Sequence, residues 1–216
     1  MKIINTQYFK IIISYFLGLA LLPNLVRGFL ESLNIETING YIGVLTNTLV
    51  YSIIFIIIWI FLRKTLINEV STFFKKFKKN MLLSVLFLVI LSASFVALTY
   101  LTSYFVDTNS SINQQSLMRL YNQQPVLCII TTVLIVSFIE DVVFRGVLLS
   151  IISERIGLIS GVVLSSVLFG LLHVASGDLI YLPIYTILGL IIALSYVKSK
   201  TLQRHTNNTG MGLRFS

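Results

Sequence analysis

Two adjacent acids and one base stand inside an apolar part of the sequence. Glu140 and Asp141 follow a long apolar run, and Arg145 comes four residues after Asp141. On a helix, this spacing puts Asp141 and Arg145 on one face and Glu140 on the neighbouring face. Facing lipid would cost each group about a few kcal/mol, so we expect them to point into a helical bundle or a wet cavity. The alternative is that they mark the membrane–water boundary, with their charged ends reaching the cytoplasm.

A histidine near the end of the next apolar segment is the second chemical group. Phe169 precedes His173 by one turn, and a single histidine at a helix end is equally an interface or packing residue. The same segment carries small residues that let a neighbouring backbone approach closely; they are Gly161, Ser165, Ser166 and Gly170. His173 can then meet Glu140 if the helices tilt or if the preceding helix continues to Ile152.

A carboxylate, an arginine and a histidine around a wet cavity suit hydrolysis. A buried glutamate can take a proton from water, a histidine can donate hydrogen bonds to the developing oxyanion, and an arginine can hold the second acid. Peptide hydrolysis within the membrane is the reaction we expect. If a metal is used, Glu140 and His173 would be ligands of Zn²⁺ together with Asp141, which barely meets the usual count of about three protein ligands. The sequence establishes no cofactor, and its one cysteine, Cys128, rules out a thiolate cluster and an intrachain disulfide.

The composition decides which elements hold these groups. The chain has 216 residues, of which 56% are hydrophobic and 11% charged, and its mean hydropathy is +0.92. Soluble domains have about 45–50% apolar residues, so the sequence predicts an all-α, polytopic transmembrane helical bundle of about six spans. The first span is expected to be retained, because no small-residue cleavage motif follows it. The expected spans cover residues 8–30, 41–62, 81–105, 125–152, 157–175 and 179–197.

The charges indicate orientation rather than a nucleic-acid partner. The net charge is +8, and many cations fall in segment 63–80, which we expect to be a basic cytoplasmic loop contacting lipid. They are Arg63, Lys64, Lys75, Lys76, Lys78 and Lys79. The polar segment 106–124 is expected to be an external loop. The accumulation of basic residues on one side predicts a multi-pass protein of the cell membrane with a cytoplasmic N-terminus. It also predicts membrane lipid, rather than nucleic acid, as the partner of the basic residues.

The two motifs together resemble a known family. Glu-Asp-x-x-x-Arg at 140–145 and Phe-x-x-x-His at 169–173 are similar to the motifs of the CAAX protease and bacteriocin-processing or immunity proteins, also called CPBP or Abi. The resemblance covers residues 125–200. It implies that Glu140 activates water, that Arg145 and His173 support it, and that Phe169 has a supporting place. Asp141 stands where the family has a second glutamate, one methylene longer.

The C-terminal part departs from the family pattern. The family continues into another apolar helix that bears a histidine and an asparagine, whereas residues 201–216 here are polar. His205 and Asn208 are three residues apart instead of four and lack an apolar setting, so their catalytic role is tentative. We therefore divide the chain into a membrane region of three helices at 1–124, a catalytic core at 125–200 and a polar tail at 201–216. The family's last catalytic helix is interpreted as missing or altered, and His205 and Asn208 are then a remnant of it, a coincidence, or the product of a truncated or frameshifted gene.

Three functions follow as hypotheses. The leading one is an intramembrane endopeptidase that cuts a peptide, a prenylated protein or a bacteriocin-like peptide. The second is a catalytically inactive immunity or scaffold protein that binds a peptide or a partner helix. The third is a small proton-coupled transporter, which the sequence disfavours because it lacks paired helices broken by Gly or Pro.

Overall fold

The described part of the chain is helical and contains no strand. A computed structural model describes residues 6–34, 40–75, 77–105 and 110–208, and side chains are described within these ranges except at 68–80 and 200–208. Seven helices occupy the described ranges. They are α1 (Thr6–Ser32), α2 (Ile42–Lys75), α3 (Phe77–Thr102), α4 (Ile112–Gln123), α5 (Pro125–Ile156), α6 (Leu158–His173) and α7 (Leu182–Asn208).

The expected helical membrane bundle is confirmed. Five apolar stretches within α1, α2, α3, α5 and α7 are long enough to cross a membrane, and the sixth apolar element is the 16-residue α6. In the apolar stretch of α3, Met81–Thr102, none of the residues is buried within the protein. So large an apolar surface left uncovered by protein needs lipid around it. The chain is therefore a multi-pass membrane protein.

The polar segment before α5 contains a helix where a loop was expected. Residues 112–123 form α4, whose first turn is closed by a capping box between Ser111 and Gln114. In this motif each residue's side chain hydrogen-bonds to the backbone N–H of the other. The expectation of a loop is wrong for this stretch, because hydropathy reports membrane crossing and does not detect a polar helix with good caps.

Helical backbone also runs through the basic segment. Helix α2 continues to Lys75 and α3 begins at Phe77, while Lys76 lies outside the described residues. Lysine and arginine favour helix almost as strongly as leucine does, so a helix need not end where the membrane does. A helical segment thus replaces most of the loop expected at 63–80.

Helix α5 places Glu140 in the middle of a long span. It runs without interruption from Pro125 to Ile156, so Glu140 is 15 residues from its start and 16 from its end. Two stretches have π-helical hydrogen bonding, Ile130–Val136 and Asp141–Leu148, and such widened turns occur frequently at functional sites. The continuation that the sequence required to bring Glu140 near mid-membrane is confirmed.

The bundle has two helical hairpins that pack against α5. The α1–α2 hairpin forms the main core with α5, which includes Tyr15, Ile54 and Phe144 at 0% exposure. Helices α6 and α7 form the second hairpin. Gly157, at a φ of +94°, makes the tight turn from α5 into α6, a conformation that a residue with a side chain rarely adopts.

The small residues of α6 work as the sequence predicts. A Cβ on Gly161 would lie 2.9 Å from the backbone oxygen of Leu149 and would collide with Ser153. A Cβ on Gly170 would lie 3.1 Å from the backbone nitrogen of Thr186 in α7. These close approaches pack α6 tightly against α5 and α7.

Candidate active site

Arg145 is the centre of the polar cluster. Its side chain is 2% exposed, and its guanidinium carbon lies 4.4 Å from the ring centroid of Phe169. Nη2 donates to the backbone oxygen of Gly189 at 3.4 Å, and Nε lies 3.8 Å from the Asp141 carboxylate. The expected Asp141–Arg145 pair is thus present as a long ion pair. Asp141 itself is 61% uncovered by protein, so the pair is only partly enclosed.

Glu140 is half-buried beside this cluster. It lies close enough to Arg145 and Asp141 to interact with both electrostatically. Two tyrosines from the first hairpin, Tyr15 of α1 and Tyr51 of α2, lie in the same electrostatic range. Phe144, one turn after Glu140, contacts Tyr15 at 6.1 Å between ring centroids, so this side of α5 faces the α1–α2 hairpin.

His173 is positioned by contacts on both sides of its ring. Its Nδ1 lies 2.9 Å from the backbone oxygen of Phe169, and its ring centroid is 4.3 Å from that of Phe169. The ring of Tyr185 in α7 lies 4.8 Å away on another side. Since a carbonyl oxygen can only accept, Nδ1 carries the proton and Nε2 of the neutral ring is an acceptor. The donor role expected for His173 would require the doubly protonated ring.

Arg145 and Phe169 connect Glu140 with His173. Arg145 interacts electrostatically with both groups, and its guanidinium stacks on Phe169, which in turn contacts His173. No hydrogen bond joins Glu140 to His173 within the described side chains. Phe169 therefore lies between the arginine and the histidine and contacts both. Through these contacts it could hold the two side chains in position, as the family resemblance implies.

Tyr185 is a member of this cluster that sequence reasoning missed. Its hydroxyl lies 2.6 Å from Ser111 Oγ at the start of α4, and Asn113 Nδ2 donates to it at 3.4 Å. The backbone N–H of Ile112 donates to Asp178 in the α6–α7 connection at 2.7 Å. These bonds fix the ring that packs on His173. A single tyrosine in an apolar span gives no spacing signal by which it could have been found.

Two of the expected groups lie outside the described side chains. His205 and Asn208 fall within the helical backbone of α7, but their side chains lie outside the described residues. Across the side chains that are described, no three His, Cys, Asp or Glu residues come together as a metal site. The described donors therefore do not form the set of three ligands that the zinc alternative requires, and no step below is routed through a metal.

Comparison with known proteins agrees with the motifs. Residues 122–203 match the model of the Rce1-like family, described as type II CAAX prenyl endopeptidase Rce1-like. This range contains all the members of the described cluster on α5 and α6. The resemblance to the CAAX protease family is therefore confirmed over these residues.

Two curated proteins are also similar to this chain. An "Uncharacterized protein" of Mycoplasma capricolum is 31% identical over 197 residues, which cover 85% of this chain and 56% of that protein. The "Putative membrane peptidase YdiL" of Bacillus subtilis is 26% identical over 92 residues, which cover 43% of this chain and 36% of that protein. The matches thus span about half of the first relative and about a third of the second. No solved structure matches.

Proposed function

We propose that this protein is an intramembrane endopeptidase in which Glu140 activates the water that cuts a peptide bond. The observation that carries the proposal is the position of Glu140 at the middle of α5, half-buried and within electrostatic range of the buried Arg145. Placing a carboxylate inside an apolar span costs free energy, and such residues commonly mark functional sites. The family match over residues 122–203 supports a peptidase.

The reaction can be written with the side chains at this site. The Glu140 carboxylate takes a proton from water, and the water oxygen forms a bond to the carbonyl carbon of the peptide. The C–N bond then breaks, and the proton passes from Glu140 to the leaving amine. His173 Nε2, as an acceptor, can hold the second hydrogen of the attacking water. The positive charge of Arg145 stabilises the ionised Glu140 and the negative charge that develops nearby.

The placement of Arg145 fits this supporting task. Its Nη1 is buried and has no hydrogen-bond partner among the described residues, although leaving a buried donor unsatisfied costs about 1–3 kcal/mol. A guanidinium whose donors are only partly used keeps its charge available to the site. We therefore assign Arg145 to electrostatic support and Glu140 to proton transfer.

Substitution of Glu140 tests the proposed function directly. Glu140→Gln keeps the size of the side chain and removes the base, so hydrolysis of a quenched fluorescent peptide by the full chain in liposomes should fall about 10²–10⁴-fold. Glu154→Gln makes the same change at the exposed end of α5 and should leave the rate unchanged.

Retention of activity would contradict the enzymatic proposal. If Glu140→Gln is folded, as judged by its thermal unfolding, and still cuts the peptide at the unsubstituted rate, Glu140 is not the base. If the unsubstituted chain binds peptides and cuts none, the inactive immunity or scaffold hypothesis takes the place of the peptidase.

A further inference from the structure

A cavity lies between α1, α2 and α4, in the part of the bundle that the family match does not cover. Its volume is about 350 Å³, at the lower end of the roughly 300–1,000 Å³ typical of ligand sites. The cavity is partly open. Its lining residues are Leu19, Pro23, Asn24, Arg27, Gly43, Thr46, Asn47, Val50, Tyr51 and Leu120.

The walls of the cavity combine apolar surface with polar groups that match a peptide backbone. The carboxamides of Asn24 and Asn47 each supply a donor and an acceptor. Thr46 is 9% exposed, and its hydroxyl has no hydrogen-bond partner among the described residues. A peptide in an apolar setting needs partners for its N–H and C=O groups. These three side chains can provide them.

Tyr51, one of the residues that line the cavity, packs against the core that α5 shares with the α1–α2 hairpin. Tyr51 lines the cavity and also lies within electrostatic range of Glu140. The position of α2 beside α5 is fixed by a hydrogen bond of 2.9 Å between Thr48 and Thr131 and by the packing of Phe55 on Phe138 at 5.5 Å. A peptide lying in the cavity would thus extend toward the carboxylate.

Neutral His173 does not supply the hydrogen-bond donor that the reaction needs. The negative charge that develops on the peptide oxygen requires a hydrogen-bond donor, whereas neutral His173 presents an acceptor because its Nδ1 is bound to the Phe169 carbonyl. A tyrosine hydroxyl can donate, and Tyr51 is a tyrosine that lines the cavity and lies within electrostatic range of Glu140.

We propose that the cavity between α1, α2 and α4 binds the peptide segment that is cut, and that the Tyr51 hydroxyl donates a hydrogen bond to the oxygen of the attacked carbonyl. This proposal rests on the proposed function, and it adds a binding site in the first two helices and a catalytic residue outside the family motifs. Tyr51 gains and loses no proton in the step. It stabilises the oxyanion while the proton moves from water to Glu140 and then to the leaving amine.

Kinetics of matched tyrosine variants test the role of Tyr51. The full chain in liposomes is assayed with a pool of quenched apolar ten-residue peptides. Tyr51→Phe should lower kcat about 10²–10³-fold, the usual effect of removing one oxyanion donor, with KM changed less than about twofold. Tyr41→Phe makes the same substitution at an exposed position and should change neither constant. A kcat for Tyr51→Phe equal to that of Tyr41→Phe would overturn the role of Tyr51 while leaving the peptidase intact.

Photo-crosslinking tests the cavity without requiring hydrolysis. The Glu140→Gln chain is irradiated with the same peptides carrying a benzophenone group, and the crosslinked residues are identified by mass spectrometry. Crosslinks on the facing sides of α1 and α2, reduced at least tenfold by the cavity-filling change Leu120→Trp, support the site. Crosslinks confined to other helices, or unaffected by Leu120→Trp, overturn it. Crosslinks in the cavity without any cleavage by the unsubstituted chain would refute the proposed function and the role of Tyr51 but keep the binding site.

Discussion

Two buried tyrosines close to Glu140 and His173 differ in the partners of their hydroxyls. Tyr15 is 0% exposed, and its hydroxyl has no hydrogen-bond partner among the described residues. The Tyr185 hydroxyl is bonded to Ser111 at 2.6 Å. An unsatisfied buried hydroxyl destabilises a protein, whereas a satisfied one stabilises it modestly. The same substitution should therefore have opposite effects at the two positions.

We expect Tyr15→Phe to raise the stability of the protein and Tyr185→Phe to lower it. The rise should be about 1 kcal/mol and the fall about 1–2 kcal/mol, because the second change removes the hydrogen bonds of the Tyr185 hydroxyl with Ser111 and Asn113. Thermal unfolding of both variants in the same detergent measures the two effects. A lower melting temperature for Tyr15→Phe would mean that the Tyr15 hydroxyl has a hydrogen-bond partner, and would contradict this prediction.

The residues that could be predicted are those with a spacing signal. Glu140, Asp141 and Arg145 stand out because charges are rare in apolar spans, and the four-residue spacing predicts the long ion pair between the last two. Tyr51 and Tyr185 give no such signal, because an amphipathic aromatic residue is ordinary in a membrane span. Their importance depends on which helices meet, and that is a tertiary property.

At the scale of the elements, the contact between α5 and α6 depends on a missing side chain. A Cβ on Gly161 would lie 2.9 Å from a backbone oxygen of α5, so that neighbour cannot move aside cheaply. In contrast, a Cβ on Gly28 of α1 would have nothing within 4 Å. Replacing glycine by alanine inside a helix is favourable by roughly 0.5–1 kcal/mol where there is room.

The two glycines should respond to alanine with opposite signs. Gly161→Ala should destabilise the protein by about 1–3 kcal/mol through overpacking, whereas Gly28→Ala should stabilise it by roughly 0.5–1 kcal/mol. Thermal unfolding of each variant against the unsubstituted chain measures the difference. Equal stability of the two variants would show that α6 can move away from α5, and would contradict the packing described here.

Element boundaries were less predictable than the spans themselves. The apolar stretches are long enough for hydropathy to find them, and six apolar helical elements appear where six were expected. The polar helix α4 escaped because its Asn- and Gln-rich sequence resembles a loop, and its stability comes from caps and docking. Gln123 shows this docking, since its Oε1 accepts from the backbone N–H of Val44 at the start of α2 at 2.8 Å.

At the scale of the whole molecule, α4 connects the two hairpins across one end of the bundle. Its first residues hydrogen-bond with Tyr185 and Asp178, and its last turn caps α2. The cavity wall at Leu120 and the support of His173 thus belong to one 12-residue helix. No periodicity in the sequence connects these distant segments. The bundle could therefore be predicted from hydropathy, whereas the cavity could not.

The orientation of the bundle in the membrane is a further prediction. The basic residues favour a cytoplasmic N-terminus, which puts Arg63 on the inside and Arg119 on the outside. In a Cys128→Ser background, a cysteine at position 119 should react with a membrane-impermeant maleimide in intact cells, and a cysteine at position 63 only after the cells are permeabilised. The reverse pattern would invert the topology and place the α4 end of the bundle in the cytoplasm.

The buried arginine has a consequence for how the protein is made. Two of the contacts that enclose Arg145 come later in the chain, since Phe169 follows it by 24 residues and Gly189 by 44, whereas Asp141 and Phe144 lie on its own helix. During synthesis, α5 therefore enters the bilayer with Arg145 only partly covered, and α6 and α7 must arrive before the arginine is fully enclosed. The α6–α7 hairpin thus completes the enclosure of Arg145, on the span that carries Glu140. A ribosome stalled between these residues would expose a membrane intermediate that quality-control proteases can recognise.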